Sequence, residues 1–227
     1  MLSIRRWLAG VGLLLIQASS SLEAESLRGE FQLLPEPIDI TALDAITAPK
    51  QGYSEHEEAI HELADDARWI FSGMIYGYSV TWIPPFNARG IEEKFEIELM
   101  AQIPVGNEKL RTLSVNEIDG IVYILMEYAS DFMQQKRLEA WKSSLFPSAT
   151  GEASSPILGG SRREALEMAI KEAIRNHFKQ REFNQPQSIQ TKIALAEFPQ
   201  IGLGNGKYRA LVSIRIGLNN VRHYEID

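Results

Sequence analysis

The first segment with the residue types for chemistry is His56-Glu57-Glu58-Ala59-Ile60-His61. A zinc-protease helix uses H-E-x-x-H, which puts two histidines at i and i+4 on one face. Here the histidines stand five apart, about 140° around the helix, so they cannot share an ion. His61 and Asp65 do fall at i and i+4. Two ligands on an acidic face make a weak metal site, and a solvated helix face is the ordinary reading. No metal and no cofactor is expected.

Gly202-Leu203-Gly204-Asn205-Gly206-Lys207 resembles a phosphate loop in composition. The template needs Gly where Ile201 stands, Ser or Thr where Tyr208 stands, and a helix after it. This stretch lies between two strand patterns, so it reads as a glycine-rich hairpin turn. Nucleophile templates fail as well, since no serine sits in G-x-S-x-G, S-x-x-K is absent and the chain has no cysteine. Glu92-Glu93 and Glu96/Glu98 are close carboxylate pairs, but hydrolysis needs carboxylates facing each other across a cleft. No catalytic residue is assigned.

Binding is better represented. Trp69, Phe71, Tyr76, Tyr78, Trp82 and Phe86 crowd one short stretch. On a strand, Met74, Tyr76, Tyr78, Val80 and Trp82 share one face, opposite Gly77 and Ser79. If the small residues lie beneath a helix, Tyr76, Tyr78 and Trp82 form an exposed ladder for a partner protein or a glycan. The competing reading makes the ladder itself the core, where such residues dominate. Lys192, Lys207, Arg209 and Arg215 could gather as a basic patch on the last hairpin, with a solvated strand face as the alternative.

These residues need elements to position them. Ser54 and Glu57 form a capping box for a helix over 55–71, which Ser72-Gly73 would end. Met74 to Ile83 reads as a strand ended by Pro84-Pro85. Phe95, Ile97, Leu99, Ala101 and Ile103 alternate with Lys94, Glu96, Glu98, Met100 and Gln102, the pattern of a strand with one wet face. Strands at 110–115 and 121–127 flank Asp119-Gly120, a strong hairpin signal. A helix is expected at about 130–142, and a second capping box, Ser161 with Glu164, opens a helix striped by Ala165, Leu166, Ala169, Ile170, Ala173, Ile174, His177 and Phe178. Strands at 189–198 and 208–216 close the chain. Residues 143–160, rich in Ser, Ala, Gly and Pro, read as a flexible loop.

One pattern recurs. Gly106-Asn107-Glu108-Lys109-Leu110-Arg111-Thr112-Leu113 and Gly204-Asn205-Gly206-Lys207-Tyr208-Arg209-Ala210-Leu211 both fit G-N-x-K-x-R-x-L. A duplicated α-β-β unit would explain it; so would ordinary hairpin chemistry, which favours Gly and Asn.

Arg5-Arg6, the apolar run Trp7 to Ile16 and the small residues leading to Ala24 have the order of a secretory signal peptide. The run is short for a membrane span of about 20 residues, so a tether is expected only if the signal stays uncleaved. Without cysteine there is neither a lipid-anchor site nor a disulfide framework. The formal charge of −7 argues against nucleic acid and anionic lipid as partners.

The sequence therefore predicts three parts: a signal peptide at 1–24, an extended Pro-containing arm at 25–53, and one α+β domain at 54–227. That domain is an antiparallel sheet of about five to six strands with two to three amphipathic helices, arranged as two α-β-β repeats if the duplication is real. The function expected is a periplasmic or secreted, non-enzymatic binding module whose partner is an envelope protein or cell-wall glycan. The alternative is an exported hydrolase with a site assembled only in three dimensions.

Overall fold

The computed structural model describes residues 26–33, 55–119, 121–179 and 186–223. The expected signal peptide, the arm from 34 to 53 and the Ser54 cap lie outside the described residues. Within them the fold is α+β, with nine strands and three α-helices, and every strand pair is antiparallel.

The strands form two sheets. A three-stranded sheet has the order β1-β5-β4, from β1 (Ser26–Leu33), β4 (Leu110–Ile118) and β5 (Ile121–Ala129). β4 and β5 pair as far as Ile118↔Ile121, with Asp119 of the expected turn in the left-handed region at φ 52° and Gly120 outside the described residues. The first part of the expected arm is a sheet strand: β1 pairs with β5 from Ser26↔Ala129 to Leu33↔Val122. Its alternation of Leu27, Gly29 and Phe31 with Arg28, Glu30 and Gln32 gives it one apolar face.

The larger sheet runs β3-β2-β7-β9-β6, from β2 (Tyr78–Ile83), β3 (Lys94–Leu99), β6 (Ser148–Pro156), β7 (Pro186–Leu195) and β9 (Lys207–His223). β8 (Gln200–Gly204) pairs with the start of β9 beyond the end of β7. As the charge alternation predicts, Lys94, Glu96 and Glu98 are exposed.

Helix α1 (Glu55–Ile75) runs past Ser72-Gly73 and stops before Gly77, whose φ of 82° turns the chain. The strand that follows is shortened to Tyr78–Ile83. From Leu63 onward the helix is covered on nearly every side, including Ala67, Trp69, Ile70, Phe71, Met74 and Ile75. It lies between the sheets, because Trp69 packs 4.5 Å from Tyr78 of the large sheet and Phe71 6.2 Å from Tyr128 of the small one. A helix apolar all round requires such a position. Helix α2 (Phe132–Trp141) starts with a complete Asp131–Gln134 capping box, and α3 (Arg162–Lys179) starts where the Ser161 hydroxyl accepts from the Glu164 amide at 3.1 Å.

Two expectations need correction. Residues 143–160 are not a loop throughout, because Ser148–Pro156 is strand β6, paired to β9 along its length. Its small residues serve packing. A Cβ at Gly151 would overlap the backbone of Ala169 and Ala173 of α3, so composition that suggested a loop marks a close strand–helix approach. The G-N octads also differ. Asn205-Gly206 is a two-residue turn between β8 and β9, with φ 53° and 70°. Gly106-Asn107 instead connects β3 of one sheet to β4 of the other, with the Asn107 side chain accepting from the Lys109 amide. The octads are not equivalent hairpins. The coarser order does recur, since α1-β2-β3 and α3-β7-β9 each place a helix before strands of one sheet and meet at the β2–β7 pair.

Candidate functional site

The expected Tyr/Trp ladder is the first thing the packing decides. Tyr78 is 0% exposed and Trp82 5%, and both belong to the core. The Tyr78 hydroxyl donates to the Trp69 carbonyl at 3.1 Å, and the Trp82 indole N–H donates to Glu93 at 3.0 Å. Glu93 in turn holds Lys171 of α3 at 2.8 Å. Tyr76 lies outside the strand, in the turn after α1. Its hydroxyl accepts from Gln134 at 2.7 Å, and the same side-chain amide reaches Tyr128 at 3.0 Å. The expectation fails because α1 covers the aromatic face and not the Gly77/Ser79 face; Trp141 of α2 covers Gly77 instead. Tyr78 and Trp82 are core residues, and Tyr76 is half-buried against the core.

The basic patch also dissolves. Arg209 pairs with Glu152 of β6 at 2.8 Å, and Arg215 donates to the Phe146 carbonyl at 3.3 Å. Lys192 and Lys207 are exposed on different strands. His61 is buried and Asp65 is ion-paired with Arg68, and no group of three or more metal-ligating side chains converges among the described residues.

The described residues form two concavities of note. The smaller, about 320 Å³, lies where α1 meets the start of α3 and is lined by Asp65, Asp66, Ser161, Arg162, Arg163 and Tyr208 among others. Its buried charges are paired with one another. Asp66 receives Arg162 and Arg163, each at 3.1 Å, and the Arg163 guanidinium stacks 4.3 Å over Trp69. Burial raises the carboxyl of the nearby Glu167, partly offset by Arg163. This cluster fastens two helices together; a buried ion pair of this kind fixes geometry more than it adds stability.

The larger concavity is a groove of about 690 Å³ where the edge of β1 meets the β8–β9 hairpin. Glu30 and Gln32 of β1 form one wall, and Glu152 with Arg209 the other. Gly202, Gly204 and Leu211 lie between them, and Phe198 and Pro199 close one end. The floor is bare backbone: a Cβ at Gly204 would meet nothing within 4 Å, and one at Gly202 only the Gln32 amide oxygen at 3.8 Å. Leu211 is 41% exposed there. The two strands approach without pairing; the Gln32 side chain accepts the Leu203 amide at 3.2 Å.

Beside the groove, the outer face of the small sheet carries Arg28, Glu127 and Arg111 in one cross-strand row. Glu127 is 3% exposed because two arginines lie over it, not because it sits deep, at 2.6 Å from Arg111 and 3.0 Å from Arg28. Hydrogen bonds from Arg111, Ser26 and Arg28 pull its carboxyl down to about 2.

Glu30 and Gln32 were not singled out from sequence, and Leu203 and Leu211 were read only as parts of a hairpin. One signal was present: glycines at 202 and 204 alternate within a strand, which strips side chains from one of its faces.

Fold and groove together define a two-sheet α+β protein with a central helix and an open inter-sheet cleft. A protein-family model matches residues 20–224, and the chain belongs to that family. It is similar to an uncharacterized protein of Treponema pallidum (strain Nichols), 18% identical over 165 residues, which cover 70% of this chain and 67% of the relative. No solved structure matches the chain. No helix of the described residues is long and apolar enough to cross a membrane.

Proposed function

We propose that the protein is an exported, non-enzymatic binding module that holds a segment of an envelope partner protein in the groove between β1 and β8. The observation that carries the reading is the groove's glycine floor, about 690 Å³ of space flanked by two strand edges. A cleft with a floor free of side chains and a few polar groups on its walls has room for an extended polypeptide and its side chains. Its lining holds Glu30, Glu152 and Arg209 but no His, Ser, Thr, Tyr, Lys or Cys among the described residues, and Glu152 is tied to Arg209 at 2.8 Å, which favours binding over hydrolysis by a carboxylate pair. With Tyr78 and Trp82 buried, the stacking platform expected of a glycan site is not supplied by them, which favours protein over glycan. Export rests on the order of residues 1–24.

The test is in-cell photo-crosslinking from a reactive residue at Leu211, with the same probe at Glu98 on the far side of the large sheet as control. Discrete adducts from Leu211 and not from Glu98, in an envelope fraction and with a processed N-terminus, are the expected result. Equal adducts from both positions would remove the groove from the account, and an intact Met1 in the cytoplasm would remove export.

A further inference from the structure

We infer that the outer face of the small sheet is a second docking surface, for an extended segment of a partner protein that carries a carboxylate and, two residues along, an apolar side chain. This face lies beside the groove and does not depend on it.

The pairing register sets three rows of side chains on the face. Arg28, Glu127 and Arg111 form the first, Glu30, Leu125 and Ser114 the second, and Gln32, Tyr123 and Asn116 the third. Leu125 and Tyr123 are half-buried, and they alternate along β5 with Ile124 and Met126, which belong to the core. The central helix α1 packs on the opposite face, where Phe71 stacks on Tyr128.

The first row presents cations. Glu127 accepts the Arg28 Nε–H at 3.0 Å and two N–H groups of Arg111 at 2.9 and 2.6 Å, and Ser26 adds a further bond. The carboxylate is covered by the two arginines, whose own side chains are 62% and 65% exposed. Among the described residues Arg28 keeps both terminal nitrogens uncommitted and Arg111 keeps one. A guanidinium already held in place loses less freedom on binding, and its flat fork matches a carboxylate.

The surroundings select the order of groups in the ligand. Two arginines on one carboxylate leave one positive charge, which a single carboxylate balances and a phosphate dianion oversteps. Lys109 and Asp131, 3.8 Å apart, close that end of the face without adding net charge. Glu30 stands directly across from Leu125, so an acid seated on the second row is repelled. An acid therefore fits the first row and an apolar group the second. Rows on one sheet face lie about 7 Å apart, the spacing of alternate residues in an extended chain.

The probe is a capped peptide with glutamate and leucine two positions apart in a glycine–serine background. It is titrated against the full chain while NMR follows the Leu125 methyl signals and the Arg28 and Arg111 side-chain N–H signals, which should all shift together. Replacing glutamate with glutamine should weaken binding by about tenfold. Moving leucine next to glutamate should weaken it by a similar factor, because adjacent residues of a strand face opposite ways. A second glutamate in place of leucine should weaken it too, whereas a merely basic surface would hold that peptide more tightly. These three changes leave the protein untouched. On the protein, Arg28→Gln should cost about tenfold and Leu125→Ser a few-fold, with melting temperature checked for each. Three results overturn the proposal: binding that ignores the spacing, tighter binding of the two-glutamate peptide, or inorganic phosphate shifting the arginine signals as strongly as the peptide does at equal concentration.

Discussion

Tyr78 lies with its ring 4.5 Å from the indole of Trp69, and its hydroxyl donates to the Trp69 main-chain carbonyl at 3.1 Å. The contact joins the large sheet to the central helix. It is possible because Gly73, one turn further along α1, has no side chain to occupy the space the phenol ring fills. Tyr78→Ala removes the ring from a closed core and should cost about 3–5 kcal/mol. Tyr78→Phe removes only the hydroxyl's hydrogen bond and should cost about 1 kcal/mol. Urea unfolding of both variants checks the pair. A Tyr78→Ala chain as stable as the parent would show that the ring is not part of the core.

Gly151 makes the equivalent approach between β6 and α3. Even an added methyl group must push α3 from the sheet, so Gly151→Ala should destabilise by about 1–3 kcal/mol, against the usual gain from replacing a strand glycine. Hydrogen exchange should show the loss first in β6 and α3.

Asp66 is the shared acceptor of Arg162 and Arg163, and its removal strands two cations where Arg162 is only 7% exposed. Asp66→Asn should cost about 3–5 kcal/mol, much of it for the unpaired Arg162. Converting Asp66 and Arg162 together to Leu and Met should recover much of that loss. Chemical denaturation of the single and double variants separates the penalty from the worth of the pair.

Glu127 gives the stability a pH dependence of definite sign. Its carboxyl is held at about 2 in the folded chain against an ordinary 4.5, so its contribution is complete above about pH 4.5 and is lost as pH falls through 2. Glu167 acts oppositely: burial raises it, so the folded state loses stability as pH rises past the ordinary carboxylate value. Arg111→Met should flatten the acid limb of a stability–pH curve, and Glu167→Gln should flatten the decline above it. Denaturation midpoints across that range measure both slopes.

Much of this architecture was legible in the residues, for reasons that differ between elements. The Ser161/Glu164 cap and the stripe from Ala165 to Phe178 located α3, because capping and periodicity are local effects. Lys94, Glu96 and Glu98 identified the wet face of β3 in the same way. Tyr78 and Trp82 could be assigned to one strand face but not to the inside or outside, since which face a helix covers is settled by long-range packing. Ser148–Pro156 was misread as loop because its small residues reflect the backbone of α3 lying against Gly151, a contact with residues far along the chain. The groove was the least visible feature. It depends on the β1 edge approaching β8, two segments joined in space by Gln32 and Leu203 with no local signature between them.

The measurement that bears most directly on the groove is the yield of crosslinked partner from a photo-reactive residue at Leu211, compared in cells between the parent chain and Gly202→Val at equal protein abundance. A Cβ at residue 202 meets only the Gln32 amide oxygen at 3.8 Å, so Gly202→Val should fold, with an unchanged melting temperature as the check, and fill the groove, and the account predicts that the adduct disappears. An undiminished adduct from a normally folded Gly202→Val chain would contradict it.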